Sequence, residues 1–256
     1  MTDLWDRRLR RAATLVERWP FAGEVLQFLA TVTRFQKDVY QRVAPGDDDR
    51  LELAPILPLL PGFLELIAAS APPALAGTAQ QLRRHGRDQW IHLLESYWHR
   101  REVDTPAVFF ARTLLQPVAA AQRAMRGQDA ATGLPQATCP RCGRPPLAGI
   151  LRDDRGASAS VRFLVCSFCF HAWSFPRVLC PGCQEERPDK LPRFTAQELP
   201  WIRVDACDSC QRYLKSIDQT RDHDAEPVAD ELGSTPLDVR ARELGYRKIE
   251  PNLAGL

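Results

Sequence analysis

Four C-x-x-C pairs, all lying between Cys139 and Cys210, constrain this 256-residue chain more than any other feature. The pairs are Cys139-Pro-Arg-Cys142, Cys166-Ser-Phe-Cys169, Cys180-Pro-Gly-Cys183 and Cys207-Asp-Ser-Cys210, and the first half of the chain has no cysteine. In each half of the set, 23 residues separate the opening pair from the closing pair. A single shift of 41 residues carries Cys139 onto Cys180 and Cys166 onto Cys207, so one supersecondary unit is duplicated. Val161-Arg162-Phe163 and Ile202-Arg203-Val204 occupy equivalent places, and each triplet reads as a strand entering a knuckle.

The chemistry accounts for the spacing. Two residues between cysteines let a tight turn aim both sulfurs at one ion, and two such turns complete a tetrahedral S4 site. Proline after Cys139 and Cys180 fixes φ, and Gly143 suits the left-handed position that such a turn uses. Phe170, Gln184 and Gln211 stand at that position in the other three knuckles, so those turns are free to differ. Ligation in series reproduces the repeat, with Cys139, Cys142, Cys166 and Cys169 on one ion and Cys180, Cys183, Cys207 and Cys210 on the other. Nested pairing remains open at this level, because only ten residues separate the second pair from the third. Units this small bury too little apolar surface to fold unaided, whereas a structural tetrathiolate ion contributes roughly 10 to 16 kcal/mol, so the fold is expected to require metal. The redox-thiol alternative needs a C-x-x-C at a helix N-terminus, and none of the four lies between a clear strand and a clear helix.

Composition narrows the class. With 45% hydrophobic residues the chain can bury a core, and its length suggests about two domains. The net charge of +2 nominates neither phosphate backbones nor anionic lipid. Glu17 and Arg18 interrupt what would have to be an apolar signal core, so a cytoplasmic address is expected. In a reducing compartment eight cysteines favour metal over disulfides. Pro55, Pro58 and Pro61 break the most apolar stretch, and no membrane span is expected.

From Trp5 to about Met125 apolar residues recur at helical spacing, as in Phe21, Val25, Phe28, Leu29, Val32, Phe35 and Val39. Breaks are expected at Pro20, at the turn Pro45-Gly46-Asp47-Asp48 and at Pro72-Pro73, with a helix starting at Thr105-Pro106 and kinked or restarted at Pro117. The expected organisation is an all-helical domain over 1–126, a linker over 127–137 and tetracysteine modules of zinc-ribbon type over 138–177 and 178–222. A tail over 223–256 carries a short closing helix within Ala229 to Tyr246.

Other constellations are weaker. His85, His92 and His99 recur every seven residues with Glu95 between the last two, but Gly86 and the neighbouring Trp90, Tyr97 and Trp98 point to packing. Neither a nucleophile with its base nor a phosphate-binding glycine loop is announced, so an enzyme is not expected. Nucleic-acid binding is the serious rival for a cysteine ribbon. Residues 138–222 hold 11 Arg and 2 Lys against 10 Asp and Glu, and two divalent S4 sites at about −2 each cancel that excess. Arg141, Arg144, Arg162 and Arg177 read instead as screening the thiolates.

Several segments together resemble the formate dehydrogenase accessory proteins called FdhE. They are Cys139-Pro-Arg-Cys142-Gly143, Arg162 through Cys169 with Trp173, Arg177-Val178-Leu179-Cys180 to Cys183, and Cys207 through Lys215. Ala229-Asp230-Glu231-Leu232, Leu237-Asp238, Gly245-Tyr246-Arg247 and Asn252 continue the match, while the helical half matches chiefly around Phe28 to Gln36 and Val108 to Ala121. The resemblance implies a cytoplasmic protein with two rubredoxin-like metal sites, holding iron or zinc, that binds formate dehydrogenase catalytic subunits and supports their maturation. Ser160 or Val161 stands where the family has glycine, and Glu231 where it has a second aspartate. Outside the resemblance, a nucleic-acid ribbon and a one-electron carrier are the competing functions.

Overall fold

The computed structural model describes residues 3–43, 51–125, 135–153 and 160–255. The expected turn at Pro45-Gly46-Asp47-Asp48 and residues 127–134 of the expected linker lie outside them. The chain divides into two compact units. One comprises Met1–Trp5 and Thr31–Asp129, the other Asp6–Ala30 and Ala130–Leu256. The helical portion expected as one domain over 1–126 therefore contributes its residues 6–30 to the unit that carries the cysteines.

Helices α1 (Asp3–Arg18), α2 (Gly23–Arg42), α3 (Leu60–Ser70), α4 (Pro73–Arg83), α5 (Arg87–Trp98) and α6 (Thr105–Met125) make up the N-terminal half. A 3-10 turn at Pro20–Ala22 separates the first two, and Pro72 precedes α4, as proline's fixed φ and missing donor dictate. Gly86 caps α5, so the histidines fall in a turn, on a helix and beyond its end. The first unit is centred on Phe63, whose ring stacks on Phe35 at 4.4 Å and meets Phe110 edge-on at 6.0 Å. No restart occurs at Pro117: α6 runs through it as one helix. Proline deprives the carbonyl four residues earlier of its donor. That carbonyl belongs to Thr113, and the buried Gln36 amide donates to it at 3.0 Å while also reaching Gln116 Oε1 at 2.7 Å. The lost backbone bond is thus replaced by a side chain.

The second unit is built on one sheet. Strands β1 (Pro146–Arg152), β2 (Val161–Cys166) and β3 (Ala172–Ser174) form an antiparallel meander, and β4 (Arg193–Thr195), β5 (Ile202–Cys207) and β6 (Arg212–Asp218) form another. The duplicated triplets open β2 and β5, as their pattern predicts. The meanders join through a parallel pairing of β1 with β6, giving the order β3-β2-β1-β6-β5-β4, and β7 (Arg247–Lys248) pairs with the outer part of β6. Close approach at the junction requires Gly149 opposite Ser216, because a Cβ there would collide with the Ser216 hydroxyl. Both edge strands have only three residues, which limits edge-to-edge pairing with other chains.

The closing segment is two helices, α7 (Pro227–Gly233) and α8 (Thr235–Glu243), where one was expected. The chain breaks between them at Ser234, whose φ/ψ of −93°/36° is not helical. Gly233 lies against the Trp19 ring, and Trp19 stacks on Trp201 at 5.3 Å. Arg11 of α1 makes a two-bond pair with Asp230 at 2.8 and 2.6 Å and also reaches Asp222 at 2.8 Å. Arg8 pairs with Glu226 at 3.3 Å, and Trp201 Nε1 donates to Asp230 at 2.8 Å. These contacts are why residues 6–30 belong with the cysteine unit.

Candidate metal centres

The eight sulfurs gather into two groups, Cys139, Cys142, Cys166 and Cys169, then Cys180, Cys183, Cys207 and Cys210, and within each group all lie within 4.8 Å of one another. Grouping is in series; the nested arrangement is absent among the described residues. The Sγ–Sγ separations are 3.6 Å for Cys139 and Cys169, 3.3 Å for Cys142 and Cys166, 3.7 Å for Cys180 and Cys210, and 3.6 Å for Cys183 and Cys207. A tetrahedral ion with metal–sulfur bonds of about 2.3 Å needs edges of about 3.8 Å, so each group can hold one ion.

Each knuckle follows from local sequence. The amides of Cys139, Cys166 and Cys180 donate to the carbonyls of Arg144, His171 and Glu185, five residues on, at 2.8 to 2.9 Å. The residue after each second cysteine takes left-handed φ: 68° at Gly143, 55° at Phe170, 63° at Gln184 and 54° at Gln211. The four turns therefore do not differ, although only one has glycine, and three side chains accept a strain of roughly 1 kcal/mol each. The turn also aims amides at sulfur, with Phe168 N at 3.3 Å from Cys166 Sγ and Gly182 N at 3.2 Å from Cys180 Sγ.

As free thiols these groups compete for ionisation. Hydrogen bonds from Cys139 and its neighbours pull Cys142 far below the ordinary thiol value, whereas burial pushes Cys166 far above it. Burial likewise pushes Cys180 up to about 11 and raises Cys210. Four touching sulfurs cannot all carry charge unless a cation replaces their protons, and soft thiolate donors suit zinc or iron.

Access differs between the groups. In the first, Cys139, Cys166 and Cys169 are buried and Cys142 is half-buried; in the second, Cys183 is exposed and Cys210 half-buried. Of the arginines expected to screen the thiolates, Arg144 stacks on Phe168 at 5.3 Å, and Arg162 reaches from β2 to the second group. There Arg162 Nη1 donates to the Leu179 carbonyl at 3.2 Å, next to Cys180. Burial lowers the Arg162 guanidinium pKa; Asp205 and Cys180 oppose that shift, and Arg203 and Arg193 add to it.

A buried ionic cluster, unforeseen from spacing, supports the strand that leaves the second group. Lys215 is fully buried and donates to Asp238 at 2.6 Å and to Ser234 Oγ at 3.0 Å, with Glu231 at 3.1 Å. Lys248 joins Glu231 and Asp238, Tyr213 donates to Asp238 at 2.8 Å, and Asn252 donates to Glu231 at 3.3 Å. Burial would raise the Asp238 carboxyl, but Lys215 and Lys248 outweigh it and hold it below its ordinary value. The one sequence signal was that most of these residues lie in the segments resembling FdhE. His85 and His92 line an open cleft of about 870 Å³ with Asp88, and no histidine joins a metal-holding group among the described residues.

A helical N-terminal half followed by twin tetracysteine ribbons in one sheet defines a protein built for two tetrathiolate sites. The central and C-terminal domains of FdhE match residues 138–177 and 178–254. A FdhE homolog of Pseudomonas aeruginosa is 30% identical over 98% of this chain and 89% of its own length, and one from Aquifex aeolicus is 24% identical over 96% and 94%. The crystal structure of the FdhE protein from Pseudomonas aeruginosa is similar with a TM-score of 0.75 and 29% identity, covering 99% of this chain and 96% of that one. The chain belongs to the FdhE family. Among the described residues no helix is long and apolar enough to cross a membrane.

Proposed function

We propose that the chain is a cytoplasmic accessory factor that binds formate dehydrogenase catalytic subunits and supports their maturation, acting by binding and not by catalysis. The observation carrying this reading is the near full-length kinship with FdhE proteins, joined to two sulfur groups of tetrahedral spacing. Cys139, Cys142, Cys166 and Cys169 ligate one ion, and Cys180, Cys183, Cys207 and Cys210 the other. Zinc would supply fixed geometry, and iron would add one-electron chemistry. The thiolates hold the knuckles, the knuckles hold β2 and β5, and the helical surface and short ribbon edges are left to meet the client.

Tagged protein drawn from cells that make a formate dehydrogenase should recover its catalytic subunit, and recovery of none would sink the assembly reading. A second reading, a one-electron carrier, is favoured by the exposure of Cys183 at the second site. It requires bound iron and reversible bleaching of the visible spectrum, whereas a zinc-only protein excludes it. A nucleic-acid ribbon would instead shift labelled DNA or RNA with steep salt dependence.

A further inference from the structure

A small cavity of about 20 Å³ opens beside the second sulfur group, lined by Arg162, Arg177, Arg193 and Arg212 together with Cys180 and Asp205. Asp205 is the one carboxylate in that lining. It pairs with Arg162 at 3.3 Å, Arg193 at 3.3 Å and Arg203 at 2.9 Å, and it accepts from the Ser216 hydroxyl at 2.5 Å. Arg162 Nη2 and Arg203 Nε are ion-paired with Asp205 without good hydrogen-bond geometry, Arg162 Nε has no hydrogen bond, and Arg203 itself lies outside the cavity lining. Arg162 is only 2% exposed. One carboxylate shared by three guanidiniums cannot satisfy all their donors with good geometry, and a buried donor left under-satisfied is costly, so the site has room for a second acceptor.

The charge balance points the same way. Four arginines line the cavity and a fifth, Arg203, pairs with its one carboxylate, while a divalent ion on four thiolates contributes about −2, which leaves a surplus of about +2 even with the second centre loaded. We propose that this cavity is a binding site for a small carboxylate, a role separate from the metal centre and independent of the accessory-factor reading. The guanidinium fork matches a planar carboxylate with two parallel bonds, as Arg11 and Asp230 illustrate elsewhere in the unit, and the confined volume favours the smallest such anions over tetrahedral phosphate. Arg162 is the fixed wall, anchored by its bond to the Leu179 carbonyl, while Arg177 and Arg193, the latter 39% exposed, form the mouth.

The carboxylate can arrive free or as an acidic side chain of a protein partner. The metal-loaded full chain is titrated at fixed ionic strength with formate and, separately, with N-acetyl-aspartate amide, following the amide resonances of Leu179, Cys180 and Asp205. Saturable shifts with formate alone identify a free carboxylate, and shifts with the blocked aspartate identify an acidic side chain. Arg177→Gln combined with Arg193→Gln should weaken binding about tenfold or more, with metal content unchanged. Arg187→Gln, which removes an exposed arginine outside the cavity, should leave it intact. Unsaturable shifts with both probes, or equal affinity in the double variant and the wild type, would overturn the proposal.

Discussion

The two tetracysteine groups share a backbone and differ in surroundings. All four knuckles place their fifth residue at φ between 54° and 68°, and the sulfur spacings agree within a few tenths of an ångström. At the first group, however, Phe168 and Phe170 occupy the places that Ser209 and Gln211 hold at the second. Both phenylalanines are buried, and the Arg8 guanidinium lies over Phe170 at 4.4 Å. The second group keeps Cys183 exposed and is braced from behind by the ionic cluster of Lys215, Glu231, Asp238 and Lys248. Duplication preserves what the ion needs, while access to the ion is set by a few side chains that are free to change.

The largest test of that contrast is the loss of a sealed ligand. Cys166→Ser should remove one of two ions and, by forfeiting roughly 10 kcal/mol against a typical domain stability of about 5 to 15 kcal/mol, unfold the first module. Metal analysis with amide spectra would check this, and a folded variant retaining two ions would break the comparison. Next is the ionic brace behind the second group. Asp238→Asn leaves Lys215 and Lys248 undercompensated in a dry site and should cost about 3 to 5 kcal/mol in denaturant unfolding at neutral pH. Because the native Asp238 pKa is depressed, its contribution is complete above the unfolded value of about 4 and disappears as pH falls through the native value. The gap between variant and wild type should accordingly narrow in acid.

Smaller effects sharpen the contrast. Under a chelator the second centre should lose its ion about tenfold faster, with Cys183 the first thiol alkylated, as mass spectrometry would reveal; simultaneous release would show that exposure does not govern exchange. The smallest effect tests the shared backbone. Gln184→Gly should raise stability by about 0.5 to 1 kcal/mol by relieving left-handed strain, and Gly143→Ala should lower it by a similar amount.

Much of the site was legible because metal ligation is written in spacing. The 41-residue shift located both groups and the strands feeding them. The knuckle conformation was readable only at Gly143, since ligation and the amide bonds of the turn impose it on Phe170, Gln184 and Gln211 without a residue signature. The restart considered at Pro117 does not occur for a related reason: Gln36, far away in sequence, supplies the donor that the freed Thr113 carbonyl needs.

By itself the sequence determined which sulfurs form pairs, how the unit repeats and where helices give way to ribbons, because these depend on separations of a few to a few dozen residues. Only the tertiary structure decided that the modules fuse through β1 and β6, that Arg8 and Arg11 reach Glu226 and Asp230, and that arginines crowd Cys180. Those contacts join residues up to 219 positions apart. They are selected by burial and charge pairing within the folded unit, and no local pattern of residues encodes them.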